Sequence, residues 1–270
     1  MTPESRRATL AVMRFGTAYV VQVRRMLFLA LMSNARLALV VVCLLLSGRP
    51  AAAEWFADVY AGPSLAGHHD LKLDDRGVGR STFRDVEFGT ALSWGGRFGR
   101  YFDSLPFLGL AVDFFRFSPN IEPQSVRVEG CLSLGSCGGG QVGTGSFDIT
   151  ETALSIDLML RLPLIKTADA SNGLLQPYLA IGRPLFITTV DPRNTRLFRN
   201  HNSDTDLSFG YKAAGGLAVQ VYKSLVMFVE YRFTQVAPDV NLQDGVSAAR
   251  ATLRTELNTH SALVGISARW

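Results

Sequence analysis

The stretch "HSALVGISARW" at residues 260–270 decides the class of fold. Apolar side chains alternate along it with small or polar ones, and it ends on a tryptophan. Val264 and Ile266 fall on one face of an extended chain and Ser267 falls on the other, because successive side chains of a β-strand point to opposite sides. The last residues of a water-soluble domain usually fray in solvent. We therefore expect a strand that is paired up to its final residue.

The same two-residue period recurs along the chain in segments of about ten residues. Large apolar and aromatic side chains occupy one face of each segment, and Gly, Ala, Ser and single charges occupy the other. The eight segments are residues 55–65, 88–98, 108–115, 152–162, 175–187, 207–221, 225–234 and 260–270. In the second segment, Phe88, Leu92 and Trp94 are predicted to share the apolar face. The pattern predicts an all-β, eight-stranded antiparallel up-and-down transmembrane β-barrel.

The charges on the second face indicate what the barrel encloses. Strand faces exposed to water favour long Lys, Glu and Thr side chains, whereas small residues mixed with opposite charges suit a narrow interior in which each buried charge needs a partner. The predicted interior network comprises Arg97, Asp113, Asp157, Arg161, Lys212, Glu230, Arg232 and Arg269. Glu230 and Arg232 are its best candidates, since they are two residues apart and share a face.

Eight strands leave an interior that side chains just fill, so we expect a plug of paired charges. A narrow ion leak, or a path for small apolar solutes, remains the alternative. The apolar outer face then requires lipid.

The connections between segments alternate in length. Long ones cover residues 66–85, 118–147, 188–205 and 238–255, and the intervening ones are shorter, down to "YKS" at residues 222–224. This alternation is typical of membrane barrels with tight periplasmic turns and long outer loops. Within two long loops, "SVRVEG" and "ARATLRTEL" alternate well enough to form strand extensions above the membrane or an extra hairpin.

The chain of 270 residues is 47% hydrophobic and 19% charged, which excludes a disordered protein. Its formal charge of +4 would suggest nucleic-acid binding if it were spread over the fold. Residues 1–53, however, hold seven arginines and one glutamate, which leaves 20 basic and 22 acidic residues from totals of 27 and 23. We therefore expect no nucleic-acid partner.

The N-terminal segment is predicted to be a secretory signal peptide spanning residues 1–53. The apolar run at residues 37–46 is too short for a membrane-spanning helix, which needs about 20 residues. Three alanines at residues 51–53 provide a cleavage site before Glu54. Translation from Met26 or Met32 would give a signal of ordinary length. A retained membrane anchor is the alternative.

Cys131 and Cys137 are the two cysteines after the signal, in the glycine-rich "CLSLGSCGGG". Two cysteines close together in an exported chain predict a disulfide, because the periplasm is oxidising. A zinc site would need further ligands nearby, and the neighbouring sequence has none.

The chain resembles the small OmpA/OmpW-like outer-membrane β-barrels. The resemblance rests on the signal, "WFADVYAGPSLAG" as first strand, "LGLAVDFFRFSP" as third, "FVEYRFT" as seventh and the aromatic last residue. It implies a monomer in the outer membrane of a Gram-negative bacterium, surrounded by lipid and lipopolysaccharide. It also implies that the barrel assembly machinery recognises the last strand through Trp270, where Phe is commoner in the family.

We expect no catalytic residues, metal or cofactor. His68, His69 and Asp70 are adjacent on a predicted loop and more consistent with solvation than with a metal site. His260 and Ser261 resemble the pair of a lipid A deacylase, but neighbouring residues of a strand point to opposite faces and cannot share a proton. The predicted role is structural and interfacial in the cell envelope. A small pore or transporter is the alternative, and a lipid A-modifying enzyme is a weaker one.

Overall fold

The computed structural model describes residues 54–75, 79–133, 136–144, 146–166, 173–193, 204–243 and 250–270. The predicted signal peptide, residues 1–53, lies outside these ranges. No helix in the described ranges is long and apolar enough to cross a membrane.

The described residues form sixteen β-strands. Their bounds are β1 (Glu54–Leu65), β2 (Gly67–Asp75), β3 (Gly79–Phe88), β4 (Ala91–Tyr101), β5 (Leu108–Phe117), β6 (Ser125–Ser133), β7 (Ser136–Gly143), β8 (Ser146–Arg161), β9 (Leu175–Gly182), β10 (Leu185–Arg193), β11 (Asp204–Phe209), β12 (Tyr211–Tyr222), β13 (Leu225–Val236), β14 (Asp239–Gln243), β15 (Arg250–Thr255) and β16 (Leu257–Arg269).

Eight of these strands close into an antiparallel barrel. The order is β1, β4, β5, β8, β9, β12, β13 and β16, and β16 pairs again with β1. Every neighbouring pair is antiparallel. The predicted eight-stranded up-and-down barrel is confirmed.

The last strand is paired up to its final residue. The Trp270 amide donates to the Trp55 carbonyl at 3.1 Å, and the Trp55 amide donates to the Trp270 carbonyl at 2.9 Å. The Phe98 ring packs against both indoles, with centroids 5.4 Å from Trp55 and 6.3 Å from Trp270. These three rings form an aromatic rim at the end of the barrel that carries the short turns, as interfacial girdles do.

The barrel wall is apolar on its outside. Large exposed side chains follow the predicted faces, and examples are Val59, Leu92, Trp94, Leu154, Leu158, Ile181, Met227, Val229, Val264 and Ile266. An apolar surface of this extent is stable against lipid and not against water.

Phe88 is a correction to the predicted faces, because it is buried at the end of β3 and does not lie on the outer wall. The strand is interrupted between β3 and β4, where the Gly89 amide donates to the Asn120 carbonyl at 2.9 Å. This interruption changes which residues point inward, so that Phe88 and Leu92 face opposite ways although their spacing is even.

Paired strands also continue beyond the end of the barrel opposite the aromatic rim. We call the hairpins β2–β3, β6–β7, β10–β11 and β14–β15 the crown. Three of them form a six-stranded sheet in the order β14, β15, β2, β3, β6, β7, and β10 with β11 extends the barrel sheet. The described residues of the four segments expected as long loops thus lie largely in strands, and "SVRVEG" belongs to β6.

The crown buries apolar side chains on its inner face. Leu71, Val86, Val126 and Val128 are buried, while Arg127 and Glu129, which alternate with the last two valines, are exposed. The crown therefore has a small hydrophobic core of its own.

Candidate functional site

A charged cluster fills the barrel interior at mid-height. Alternation along β1, β4, β5, β8, β9, β12 and β13 directs its side chains inward, as the period of two requires. We call this cluster the plug: Tyr60, Arg97, Asp113, Asp157, Tyr178, Lys212, Glu230 and Arg232. All eight residues are buried.

Asp113 lies at the centre of one half of the plug. The Lys212 Nζ atom is 2.5 Å from Asp113 Oδ2 and also contacts the Asp157 carboxylate. Arg232 Nη2 lies 3.2 Å from the same Asp113 oxygen. Two carboxylates thus share one ammonium group, and the guanidinium supplies the remaining positive charge.

Glu230 organises the other half. Its Oε2 atom accepts hydrogen bonds from Arg97 Nη2 at 2.5 Å and from the Tyr178 hydroxyl at 2.8 Å. Its Oε1 atom accepts from Arg232 Nη2 at 2.7 Å. Glu230 and Arg232 pair with each other, as their shared face predicts.

Arg232 connects the two halves. Its guanidinium donates to the Tyr60 hydroxyl at 3.0 Å, and that hydroxyl in turn donates to the Asp113 carboxylate. The Arg232 guanidinium carbon also lies 4.5 Å from the Tyr60 ring centroid and 4.9 Å from that of Phe115. A planar guanidinium held by carboxylates and aromatic rings is a geometry that lysine cannot reproduce.

Tyr60 and Tyr178 are plug residues that the sequence prediction missed. Their signal in the sequence lies on the neighbouring strands, because Tyr60 pairs with Gly95 and Tyr178 pairs with Gly216. A Cβ atom on Gly95 would lie 2.6 Å from the Tyr60 hydroxyl oxygen, so the ring needs a glycine beside it. A search of the sequence for inward-facing aromatic residues whose partners on the neighbouring strand are glycines would have identified both tyrosines.

A second group of polar side chains lies nearer the aromatic rim. Arg161 forms an ion pair with Glu54, and its guanidinium carbon is 3.7 Å from the Tyr101 ring centroid. Arg269 donates to Gln176 Oε1 at 2.5 Å and lies 3.4 Å from Glu54. Of the eight predicted interior residues, the structure therefore places six in the plug and two, Arg161 and Arg269, in this terminal cluster.

The space between the plug and the terminal cluster is almost completely filled. A cavity of about 10 Å³ remains there, lined among others by Asp58, Arg97, Tyr178 and Arg269. A single water molecule needs about 10–15 Å³ of such space. This cavity therefore has room for about one water molecule.

The predicted pair of cysteines lies in the crown. Cys131 of β6 and Cys137 of β7 are direct antiparallel partners. Directly opposite residues have Cα atoms about 4.5–5.5 Å apart, a separation that a disulfide can bridge. The disulfide itself stays a prediction.

The histidines singled out in the sequence lie apart from the plug. Within the described residues there is no group of three or more His, Cys, Asp or Glu side chains placed to hold a metal. His260 Nδ1 is 2.6 Å from the Tyr231 hydroxyl on the outer wall, whereas the Ser261 hydroxyl contacts that of Ser64 inside. His260 and Ser261 thus point to opposite sides of the wall.

Similarity to known proteins is found at the level of structure. No family model matches the sequence, and no curated protein is similar to it. The crystal structure of the outer membrane protein OprG from Pseudomonas aeruginosa superposes with a TM-score of 0.57 over 83% of this chain and 98% of that one, at 13% sequence identity. The chain has the fold of the small outer-membrane β-barrels.

Two further barrels overlap less well. Neisserial surface protein A is 15% identical, with a TM-score of 0.40 over 80% of this chain and 98% of its own. The N-terminal β-barrel domain of Pseudomonas aeruginosa OprF is 8% identical, with a TM-score of 0.38 over 80% and 97%. The fold assignment therefore rests on the OprG superposition, which at 13% identity shows the fold alone.

Proposed function

We propose that this chain is an integral outer-membrane protein with a closed barrel, whose role is structural and interfacial. The observation that carries the proposal is the plug: eight buried side chains, six of them charged, fill the interior. A conducting pore needs a continuous hydrated path, and the remaining cavity of about 10 Å³ offers none at this level.

The crown supports the interfacial part of the proposal. Its hairpins are paired strands with a buried apolar face, so they hold their outer side chains in fixed positions. That outer surface is charged and carries ion pairs, such as Arg84 with Asp70 at 2.7 Å and with Glu129 at 3.0 Å. A rigid, polar surface suits contact with water-exposed partners more than it suits a flexible gate.

The proposal includes the route to the membrane. We infer export by a signal peptide at residues 1–53, assembly through the strand that ends at Trp270, and a monomeric barrel in lipid and lipopolysaccharide. The apolar wall and the aromatic rim support the membrane environment. We propose no catalytic role, since His260 and Ser261 face opposite sides of the wall.

Planar-bilayer recording tests the closed barrel. Protein purified from outer membranes and shown to migrate heat-modifiably on a gel is expected to give no stepwise current. Double replacement of Arg97 and Arg232 by alanine removes two guanidinium groups from the plug and is the matched positive control, expected to conduct. Stepwise current from the unaltered protein would contradict the proposal and favour the small pore or transporter.

A further inference from the structure

One buried carboxylate at the junction of the barrel and the crown has no positive partner. Ten charged residues are buried in the described part of the chain, and nine of them form ion pairs. The exception is Glu151, which is completely buried. Its Oε2 atom accepts a hydrogen bond from the Thr188 hydroxyl at 2.8 Å, and its Oε1 atom has no hydrogen-bond partner among the described residues. An apolar site of this kind favours a neutral carboxyl group over a charged one.

Glu151 lies on the part of β8 that carries the crown hairpin β10–β11. Residues 146–154 of β8 pair with β10, whereas residues 157–161 pair with the barrel strand β9. Glu151 is directly opposite Thr188 of β10, and Thr188 is directly opposite Asp206 of β11. It is also outside residues 152–162, the segment predicted to cross the membrane. The carboxyl group therefore lies in the contact that attaches the hairpin to the barrel sheet.

The groups around Glu151 disfavour a negative charge. The neighbouring side chains on β5, β8 and β10 are apolar and buried: Phe117, Ile149, Ala153, Phe186 and Val190. On β11 the residue in the same row is Asp206, which brings a second negative charge. Burial raises the pKa of the Glu151 carboxyl to about 8; the Thr188 hydrogen bond opposes this shift, and the Asp206 carboxylate adds to it. Glu151 is therefore mostly protonated at neutral pH.

The hairpin depends on this contact for its attachment. β11 is an edge strand, so within the described residues the β8–β10 ladder is the one ladder that joins the hairpin to the barrel sheet. On the far side, the Asp239 amide of β14 donates a hydrogen bond to Asp206 Oδ2 at 3.1 Å. A charge that appears on Glu151 thus acts on the ladder that holds the hairpin in place.

We propose that Glu151 is a proton-binding site that couples docking of the β10–β11 hairpin to pH. The hairpin is docked on β8 while the carboxyl group is protonated. Ionisation weakens the docking, because the carboxylate then lies in an apolar site beside a like charge, whereas in the released hairpin water solvates it. The surface that the crown presents outside the membrane therefore depends on pH.

Docking is expected to weaken as the pH rises. In the released hairpin Glu151 has the ordinary pKa of a glutamate, about 4.3. In the docked hairpin its pKa is about 8, so the docked form binds one more proton between these two values. Docking is therefore strongest below a pH of about 4.3, weakens about tenfold per pH unit up to about 8, and stays constant above that.

Hydrogen exchange of the full-length protein in detergent micelles, read by mass spectrometry and corrected for the intrinsic pH dependence of exchange, tests the proposal. Protection of the β10 and β11 amides is expected to fall about tenfold per pH unit across this window. Amides of β6, whose Glu129 is exposed and paired with Arg84, provide the internal control and should show no such fall. Constant protection of β10 and β11 across the window would overturn the proposal.

Three variants assign the effect to one carboxyl group. Glu151→Gln keeps the shape of the side chain without its charge, and its β10–β11 protection should be independent of pH and exceed that of the unaltered protein at pH 8. Asp206→Asn removes the like charge, so protection should level off at a lower pH. Glu129→Gln, an exposed crown glutamate, is the matched control and should behave as the unaltered protein does.

A slope that persists in Glu151→Gln would contradict the proposal. Added calcium that restores protection at pH 8 in the unaltered protein, but not in Glu151→Gln, would also contradict it, because the carboxylate would then bind a metal ion in place of a proton. Neither result would bear on the closed barrel, which the bilayer recording tests separately.

Discussion

The barrel and the crown are built from the same strands, yet their polarity is inverted. In the barrel, Val229 points outward and Glu230 inward, so the wall is apolar and the interior charged. In the crown, Val128 points inward and Glu129 outward. A period of two supports both arrangements, and the solvent outside decides which one is stable: lipid around the barrel and water around the crown.

The inversion takes place at interruptions of the strands. Asp58 and Tyr60 of β1 point inward, whereas Lys72 of β2 is exposed and Leu71 is buried, so the inward positions change from even to odd numbers. The register shift between His69 and Leu71 lies between these two regions. One extra residue in a strand moves every side chain that follows it to the opposite face. The apolar positions, which face lipid outside the barrel, therefore face the interior of the crown.

The largest effect is expected from removing a cation from the plug. Arg232→Met leaves Glu230 with one guanidinium partner and Asp113 without the guanidinium at 3.2 Å. An uncompensated buried charge costs about 3–5 kcal/mol. Urea unfolding in detergent micelles, followed by gel mobility, measures the loss. The control is Arg80→Ala in the crown, where an exposed ion pair contributes about 0–1 kcal/mol; equal losses would refute the difference between the two regions.

A charged residue placed on the outer wall of the barrel tests whether that wall contacts lipid or water. Val229→Arg places a guanidinium on the apolar wall and is expected to destabilise the barrel by about 2–4 kcal/mol. Ser125→Arg puts the same side chain on an exposed crown strand and should change stability by about 0.5 kcal/mol or less. Unfolding in lipid vesicles measures both, and a tolerated Val229→Arg would argue against lipid contact there.

Glycines should matter in the barrel and not at the crown tip. Gly95→Ala places a Cβ atom 2.3 Å from the Phe114 carbonyl oxygen and 2.6 Å from the Tyr60 hydroxyl oxygen, and it is expected to cost about 1–3 kcal/mol, as overpacking does. Gly138→Ala in β7 meets open space and should be neutral in the same unfolding assay. Comparable costs at the two positions would show that the close approach of Tyr60 is not what selects glycine.

The smallest effect is expected at Asp70. Because its folded pKa lies below the unfolded value of about 3.9, its stabilisation of the crown is present above that pH and is lost as the pH falls through the folded pKa. Asp70→Asn should therefore be less stable than the unaltered chain at neutral pH, and the difference should vanish in acid. Amide protection of the β2–β3 hairpin, read after exchange at each pH, follows it. A difference that persists unchanged below the folded pKa would assign the effect to something other than the carboxylate charge.

Prediction from the sequence succeeded where one residue's environment depends only on its own strand. Alternation alone assigned Lys212, Glu230 and Arg232 to the interior and Val264 to the wall. Alternation assigned Phe88 to the wrong face, because the interruption of the strand at residues 89–90 does not change the two-residue pattern of the sequence. It also missed Tyr60 and Tyr178, since their role depends on which glycine lies opposite on another strand.

The sequence by itself determined the class of fold, the polarity of each face of the barrel and the paired end at Trp270. These follow from local geometry, because successive side chains of a strand must point to opposite sides. Only the tertiary structure decided which interior charges meet: Lys212 lies between Asp113 and Asp157, and no sequence spacing predicts that contact. The break in strand pairing between residues 66–70 and residues 256–259 was also decided by the tertiary structure. It depends on the register between the first and last strands, which only closure of the barrel brings together.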